Sequence, residues 1–257
     1  MTETNAFFAP AWPAPRAVRA LVTTRRGGNS KAPYDSFNLG LHVGDDPAAV
    51  AANRALLRRH LPADPCWLEQ VHGVEVARAE DGGQGTAIRA DAAVARTAGA
   101  VCVVMTADCL PVLFCDDGGT VVAAAHAGWR GLVAGVLEAA LAAMATPPER
   151  IMAWLGPAIG STAFEVGAEV RDAFLAGDPG AHAAFAERDT PGKWLANLFT
   201  LARRRLARAG VSRVYGGGTC TFTGIERFYS YRHEGTTGRF ASLVWLDGGK
   251  GAASNLR

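Results

Sequence analysis

Residues 101–131 have the sequence VCVVMTADCLPVLFCDDGGTVVAAAHAGWRG, and this stretch decides the fold class. Three short apolar runs, at 101–105, 111–114 and 120–125, are separated by polar or glycine residues, as expected of buried strands. An alanine- and leucine-rich helix is predicted directly after them, over 132–144. Because several strands follow one another before any helix, the pattern favours an α+β fold with layered, mixed sheets over a doubly wound alternation of strands and helices.

The flanking sequence continues this mixture of strands and helices. On the N-terminal side we predict a strand at 17–24, a helix capped by Asp46 and started by Pro47 that runs to about His60, and short strands at 67–71 and 74–79. On the C-terminal side the pattern predicts strands at 151–155, 211–215 and 240–246, and helices at 166–175 and 194–209. No repeat or linker divides the chain, so we expect a single domain over 1–257, with 1–16 as a flexible N-terminal extension.

The composition excludes several classes of protein. Of the 257 residues 49% are hydrophobic and 19% charged, which is enough apolar material for a large core and excludes intrinsic disorder. A net charge of +2 argues against a protein that binds nucleic acid by bulk charge. A basic stripe on the helix predicted at 194–209 leaves contact with nucleic acid as a non-enzymatic alternative, although a solvated helix face explains it better; it consists of Arg203, Arg204, Arg205 and Arg208.

The sequence also gives expectations about compartment and partners. It contains no run of 18 apolar residues, and its first fifteen residues lack the pattern of a signal peptide, so no membrane partner is expected. Five cysteines are an odd number and lack the regular spacing of a disulfide framework. We therefore expect a cytoplasmic protein with reduced thiols, present as a monomer or weak homodimer.

The first candidate site is the segment His126-Ala127-Gly128-Trp129-Arg130-Gly131, where a strand turns into a helix. A side chain at such a strand end faces unpaired backbone N–H groups and the positive end of the helix dipole. This position suits an anion, and Arg130 would add a bidentate contact to phosphate. Taken alone, the hexamer is better explained by a tight turn at Gly128 and Gly131 and a hydrogen-bonded core histidine.

A second and a third candidate precede it in the chain. Asp108 and Cys109 join two apolar strands, and a thiolate is both a metal ligand and a nucleophile, although a free cysteine is more often a small buried hydrophobe. His72 ends a short strand against a glycine and is also explained as a turn residue. Together His72, Cys109 and His126 supply the two imidazoles and one thiolate of a catalytic zinc site with an open position. Their separations of 37 and 17 residues match no spacing rule.

Further motifs accompany these three positions in a fixed order. They are Thr24-Arg25-Arg26-Gly27-Gly28, Phe37-Asn38-Leu39-Gly40, Val43-Gly44-Asp45, Asn53-Arg54, Gln70-Val71-His72-Gly73, Ala107-Asp108-Cys109-Leu110-Pro111, the hexamer at 126–131, Gly156-Pro157, Glu165-Val166-Gly167 and Ser230-Tyr231-Arg232. The series resembles the YfiH/laccase-domain family, also called polyphenol oxidase, peptidoglycan editing factor and purine nucleoside phosphorylase. The resemblance extends from about residue 17 to residue 246, and the motifs around Cys109 and His126 are its most specific part.

The resemblance implies a fold, a metal and an activity. The family fold is a single-domain layered α/β/β/α sandwich, and its metal ligands fall on His72, Cys109 and His126. Family members are described as zinc enzymes that phosphorolyse adenosine, inosine, guanosine and methylthioadenosine and that deaminate adenosine. His233 departs from the family pattern, which more often has arginine there, and this puts a phosphate-binding role for that position in doubt.

The leading hypothesis is therefore a zinc-dependent purine nucleoside phosphorylase with adenosine deaminase activity, whose partners are purine nucleosides and phosphate. Cys109, Asp108 and His126 are the candidate catalytic groups, with Asp108 a proton carrier, a carboxylate that orients a ligating histidine, or a turn cap. The candidates for contact with substrate or phosphate are Arg26, Asn38, Gln70, Arg130 and Arg232.

Two alternatives remain open from the sequence. In the first, the protein is a cysteine hydrolase or amidase that edits peptidoglycan precursors, with Cys109 as nucleophile and His126 as base. In the second, ranked below it, the protein is a copper-dependent polyphenol oxidase. Only six histidines occur, with no His-x-His pair, which excludes a multicopper cluster, but Cu²⁺ could replace Zn²⁺ at the single site.

Overall fold

The computed structural model describes residues 6–82 and 86–248. The strands are β1 (Phe7–Phe8), β2 (Val18–Thr23), β3 (Pro65–Cys66), β4 (Leu68–Glu69), β5 (Val76–Arg78), β6 (Ile88–Arg89), β7 (Ala92–Ala95), β8 (Val101–Thr106), β9 (Leu110–Asp116), β10 (Val122–Ala127), β11 (Ile151–Leu155), β12 (Glu165–Gly167), β13 (Phe185–Glu187), β14 (Lys193–Ala196), β15 (Arg213–Gly216) and β16 (Phe240–Leu246). The helices are α1 (Pro47–Arg58), α2 (Trp129–Ala134), α3 (Val136–Met144), α4 (Ala168–Gly177), α5 (Leu198–Arg208) and α6 (Tyr231–Glu234).

Two mixed sheets packed face to face form the centre of the molecule. One has the strand order β1-β2-β16-β8-β3 and the other the order β15-β11-β9-β10-β7-β5. Alternate residues of β8 face opposite sides: Cys102 and Val104 pack between the sheets, and Val103 and Met105 pack in a second cluster with Leu57 of α1. The outer face of the six-stranded sheet is covered by α3 and α5. The predicted α+β class and α/β/β/α layering are confirmed.

The register of the six-stranded sheet brings distant motifs together. Strands β9 and β10 are antiparallel, with Pro111 opposite His126 and Leu110 opposite Ala127. Cys109, which directly precedes β9, therefore lies at the same end of the sheet as the last residues of β10. The parallel pairing of β5 with β7 brings the chain that follows the 70–73 motif to this region as well.

Several element boundaries differ from the sequence prediction. The helix predicted at 194–209 begins only at Leu198, because the side chain of Asn197 caps it by accepting from the Thr200 N–H. The residues before the cap belong to β14, which pairs with β12 on one side and β13 on the other. The helix predicted at 132–144 begins at 129 and is two helices, interrupted where Gly135 has a φ of 104°. Residues 165–167 form β12, and α4 starts after them.

Residues 1–5 of the expected N-terminal extension lie outside the described residues. Phe7 and Phe8, within the same stretch, pair with Thr23 and Val22 of β2. The ring of Phe8 also meets that of Phe228 edge to face, with the centroids 6.1 Å apart.

The basic stripe of α5 is occupied by contacts within the chain. Arg204 and Arg208 bind Asp178, Arg205 binds Glu138, and Arg203 donates to the carbonyl oxygens of Val214 and Gly216. In the parts of the chain that the structure describes, no helix is long and apolar enough to cross a membrane.

Candidate metal centre

The three predicted metal ligands come together at one end of the six-stranded sheet. His72 lies in the loop after β4, Cys109 in the link between β8 and β9, and His126 within β10. One donor atom from each lies within 4.8 Å of the others, and the two imidazole centroids are 4.7 Å apart. Donors of a tetrahedral zinc ion stand about 3.5 Å apart, as bond lengths of 2.0–2.3 Å require. This donor set therefore fits zinc after a small closing movement.

The centre is open on one side and closed on the other. His126 is 5% exposed, Cys109 is half-buried, and His72 is exposed to solvent. A buried wall with one accessible side is the arrangement that leaves a coordination position for water or substrate.

A buried carboxylate lies behind both histidines. Asp91 Oδ1 accepts from the backbone N–H of His72 at 2.9 Å and lies 2.8 Å from Nδ1 of His126. Its Oδ2 accepts from the N–H groups of Val71 and Gly73 at 3.1 and 2.6 Å. The backbone carbonyl of Asp91 accepts from the His126 N–H at 2.7 Å. Such contacts fix the orientation of ligating imidazoles.

Two residues of the centre have unfavourable backbone conformations. The φ angles of His72 and Asp108 are 60° and 92°, in the left-handed region that non-glycine residues rarely adopt. Strained residues of this kind persist where the surroundings hold them, and they concentrate at functional sites. The carboxylate of Asp91 fixes the backbone around His72 by accepting from its N–H. The backbone of Asp108 is fixed by the Ile159 N–H, which donates to the Asp108 carbonyl at 2.9 Å.

Gly128 allows the ligands to approach the chain closely. A Cβ atom at this position would lie 2.5 Å from Nδ1 of His72 and 3.0 Å from Sγ of Cys109. Its φ of −62° and ψ of 158° are open to any residue, so space for the ligands is what requires glycine here.

The electrostatics of the centre favour a cation. Burial lowers the pKa of His126, but the charge of the Cys109 thiolate and the bond to Asp91 outweigh it and raise that pKa to about 9. The pKa of His72 is lowered because its ring, although accessible from outside, is partly desolvated by the surrounding chain, and by the neighbouring charge of His126. Burial alone would raise the pKa of Asp91, but its bonds to His126 and to the Gly73 N–H keep it below the usual value.

Among the described residues, Asp108 does not hydrogen-bond a histidine of the centre, as a carboxylate that orients a ligating histidine would. Its Oδ1 accepts from the Thr221 hydroxyl at 2.6 Å, and its Oδ2 accepts from the Arg232 N–H at 2.7 Å. Asp91, not Asp108, is thus the carboxylate that contacts the candidate ligand histidines. Asp108 instead ties α6 and the segment around Thr221 to Cys109.

Two predicted substrate contacts are engaged in holding the scaffold. The Gln70 amide bonds both the N–H and the carbonyl of Met105, each at 2.8 Å. Asn38 is fully buried; it donates to Gly40 and Asp45 and accepts from the N–H groups of Gly40 and Arg239. Both side chains therefore position the loops around the centre.

The predicted phosphate-binding arginines differ in their surroundings. Arg130 is exposed, stacks on Trp129 with its guanidinium carbon 4.4 Å from the ring centroid, and is close enough for its charge to act on His72. Arg232 donates to the carbonyl of Glu165 at 2.8 Å. Arg26 donates to the carbonyl of Glu226 at 2.7 Å and makes an ion pair with its carboxylate.

Other residues at the centre were not predicted. Arg239, whose charge acts on His72 and His42, is held by the carbonyl oxygens of Thr237 and Gly238. Asp91 directly precedes an apolar run, which is the only signal the sequence offers for it. Nothing in the sequence separates Arg239 from the other arginines.

Large hydrophobic side chains are exposed close to these motifs. Among the described residues the exposed ones are Leu41, Val71 and Tyr231, at 55%, 40% and 61%. Val71 precedes the candidate ligand His72, and Tyr231 precedes the residue whose N–H binds Asp108. Exposed apolar groups beside polar ones are typical of ligand sites. His233, where the sequence departs from the family pattern, packs its ring against Phe222 at 4.8 Å.

Comparisons with known proteins agree on one family. A family model described as multi-copper polyphenol oxidoreductase laccase matches residues 19–247. A purine nucleoside phosphorylase of Pseudomonas aeruginosa is 57% identical over 242 residues, covering 94% of this chain and 99% of the relative. The purine nucleoside phosphorylase YfiH of Escherichia coli is 56% identical over 241 residues, covering 93% and 98%.

Solved structures show the same fold. A Neisseria meningitidis protein superposes with a TM-score of 0.92 at 52% identity, covering 95% of this chain and all of that one. YlmD of Geobacillus stearothermophilus gives a TM-score of 0.88 at 32% identity, covering 96% and 98%.

Proposed function

The chain belongs to the YfiH/laccase-domain family, and from this premise we propose that it is a zinc-dependent purine nucleoside phosphorylase. The observation that carries the proposal is the centre formed by His72, Cys109 and His126, which has one open side. Relatives that share more than half of its residues are named purine nucleoside phosphorylases.

The chain's residues support zinc as the metal. Two imidazoles and a thiolate prefer zinc to magnesium or calcium, which take oxygen ligands. When bound by these three groups, zinc supplies Lewis acidity at an open coordination position. A metal takes Cys109 as the thiolate, and the charge of that thiolate together with the Asp91 carboxylate favours a dication at this place.

Phosphorolysis requires an anion aligned with the ribose. One phosphate oxygen bonds to C1′ while the C1′–N9 bond breaks, and its electron pair leaves with the purine, which takes up a proton. Arg130 and Arg232 are proposed to hold the phosphate, and the ion pair of Arg26 with Glu226 makes it the weakest of the three candidates. Asp108, next to Cys109, is proposed to exchange the proton.

The surroundings of the centre support a purine nucleoside as the other substrate. The exposed Val71 and Tyr231, which directly precede His72 and Arg232 in the chain, offer apolar and aromatic surface to a flat base. We propose adenosine, inosine, guanosine and methylthioadenosine as substrates. Deamination of adenosine is the second proposed activity: a water oxygen bonds to C6, the C6–N bond breaks, and ammonia leaves, giving inosine.

Product analysis tests this proposal. Zinc-replete protein is incubated with adenosine, with and without phosphate, and the products are separated by chromatography. We expect adenine and ribose 1-phosphate only with phosphate, and inosine in both samples. Cys109→Ala should abolish both activities, whereas Cys220→Ser, at another half-buried cysteine, should retain them. Unchanged adenosine in the wild-type samples, or full activity of Cys109→Ala without zinc, would refute the proposal.

One observation favours a second candidate function. Cys109 lies close enough to His126 for its thiolate to raise the pKa of that imidazole, as in a nucleophile and base pair. A cysteine hydrolase or amidase that edits peptidoglycan precursors would use this pair. Iodoacetamide labelling with and without chelator tests it, because zinc would protect the thiolate. If Cys109 stays unlabelled in the metal-free protein, the hydrolase hypothesis fails.

Copper oxidase activity is the weakest of the three proposals. Within the described residues, one group of histidine and cysteine donors can hold a metal, which is fewer than a multicopper cluster needs. Copper can occupy this centre because Cu²⁺ binds nitrogen ligands more tightly than Zn²⁺. Oxidase activity should therefore appear only after copper loading and be absent with zinc alone.

A further inference from the structure

Asp91 contacts both histidine ligands at once from the buried side of the centre. It is fully buried, at 0% exposure, and its two carboxylate oxygens have four partners. Three of these are consecutive backbone N–H groups, those of Val71, His72 and Gly73. The fourth is Nδ1 of His126, at 2.8 Å.

We propose that Asp91 is a positioning residue of the metal centre, which fixes the tautomer of His126 and the loop conformation of His72 through one carboxylate. An ionised carboxylate is only an acceptor, so His126 must carry its proton on Nδ1 to bond with it. In the neutral ring that a metal requires, the proton on Nδ1 leaves Nε2 free to be the ligand atom. The inference depends on metal binding and is independent of which reaction the centre serves.

The loop around His72 depends on the same carboxylate. His72 has a φ of 60°, in the left-handed region that is unfavourable for a non-glycine residue. Three successive N–H groups that converge on one acceptor form a nest, a backbone arrangement that binds anions. Asp91 supplies the anion from within the chain, so it stabilises the conformation that turns the His72 imidazole towards Cys109.

Replacement of Asp91 by asparagine keeps the size of the side chain but replaces one of its two acceptor oxygens by an NH₂ donor. With the amide oxygen in the place of Oδ1, the new NH₂ group faces the N–H groups of Val71 and Gly73. In the opposite orientation the NH₂ group faces Nδ1 of His126, and the ring must move its proton to Nε2. Either orientation removes one of the two positioning effects, although the side chain keeps its size.

Asp116 provides a matched control for Asp91→Asn. It is a second buried aspartate, at 2% exposure, and accepts from the N–H groups of Thr120 and Val121 and from the Thr120 hydroxyl. It lies at the far end of β9 from Cys109. Asp116→Asn therefore reports what the loss of a buried carboxylate costs the fold without touching the centre.

Zinc affinity, measured by competition with a chromophoric chelator, is the first test. Asp91→Asn should weaken zinc binding by about 10- to 100-fold, the usual effect of removing an orienting partner of a ligand. Asp116→Asn should leave zinc affinity within about threefold of wild type, even where both variants lose similar thermal stability. Equal zinc affinity of the Asp91 variant and wild type, or equal losses in the two variants, would overturn the inference.

A spectroscopic test needs no variant to fold. In ¹⁵N-labelled wild-type protein loaded with zinc, the imidazole spectra should show His126 protonated at Nδ1 and metal-bound at Nε2. The opposite tautomer, with the proton on Nε2, would contradict the inference, as would a wild-type protein that binds no zinc. Neither measurement involves nucleoside turnover, so failure of the proposed function is distinguishable from failure of this inference.

Discussion

Replacement of Gly128 by alanine should break the metal centre and leave the fold intact. The new Cβ would lie 2.5 Å from Nδ1 of His72, whereas ordinary contact begins at 3.4 Å, so the ring must retreat by about 0.9 Å. Sγ of Cys109, at 3.0 Å from the Cβ, must move as well. Displacements of about 1 Å in such constellations cost on the order of 100-fold, or about 2.7 kcal/mol in binding.

The fold should tolerate this change. The backbone angles of Gly128 suit alanine, and the exposed ring of His72 can swing outward. Glycine-to-alanine changes at compatible positions stabilise by about 0.4–1 kcal/mol through the unfolded chain. We therefore expect the free energy of unfolding of the metal-free variant to stay within about 1 kcal/mol of wild type.

Chelator competition for zinc, paired with urea unfolding of the metal-free protein, measures both quantities. Gly177→Ala is the control, because a Cβ at Gly177, the last residue of α4, would meet nothing within 4 Å. It should bind zinc as wild type does. If Gly128→Ala binds zinc within threefold of wild type, the crowding argument is refuted, and so is the assignment of His72 and Cys109 as paired ligands.

Four further predictions concern the pH dependence of zinc binding and of stability, the phosphate contacts, and the scaffold. Burial lowers the pKa of His126, but Cys109 and Asp91 raise it to about 9. Because zinc needs the neutral ring, zinc affinity should fall about tenfold for each pH unit between about pH 9 and about pH 7. Calorimetry that finds constant zinc affinity over this range would contradict the prediction. Because the folded pKa exceeds the ordinary value of 6.5, stability of the metal-free protein should also fall as pH rises through 9. Arg130→Gln should raise KM for phosphate at least tenfold, whereas Arg26→Gln should raise it less than threefold. Steady-state kinetics that give the reverse order would refute the proposal that Arg130 binds phosphate. Asn53→Ala should lower the free energy of unfolding by about 3 kcal/mol, because the buried Asn53 amide makes five hydrogen bonds around residues 29–38. A loss under about 1 kcal/mol in urea unfolding would refute this scaffold role.

The sequence predicts the core of this fold better than its periphery. Apolar runs marked β8, β9, β10 and β16 because buried strands admit few polar residues. The start of α5 was wrong because a strand and a helix meet at Asn197 within one apolar pattern, and only pairing with β12 and β13 separates them. Tertiary pairing of this kind leaves little local trace in a sequence.

The residues of the candidate site also divide into those that local motifs identify and those that only the folded chain brings together. The resemblance, and not spacing, gave His72, Cys109 and His126, whose donor atoms the fold brings within 4.8 Å. Asp91 was missed because its role depends on a loop and a strand that meet only in three dimensions. The Gln70 amide resembled a substrate contact in the sequence, but its bonds to Met105 exist only in the folded chain.

Zinc titration of the metal-free enzyme tests the central claim most directly. Chelated protein is given increasing zinc, and phosphate-dependent release of adenine from adenosine is followed at each addition. We expect no adenine release without metal, a linear rise with added zinc, and saturation at one zinc per chain, with Cys109→Ala inactive throughout. Full adenine release from the metal-free protein, or none at saturating zinc, would contradict it.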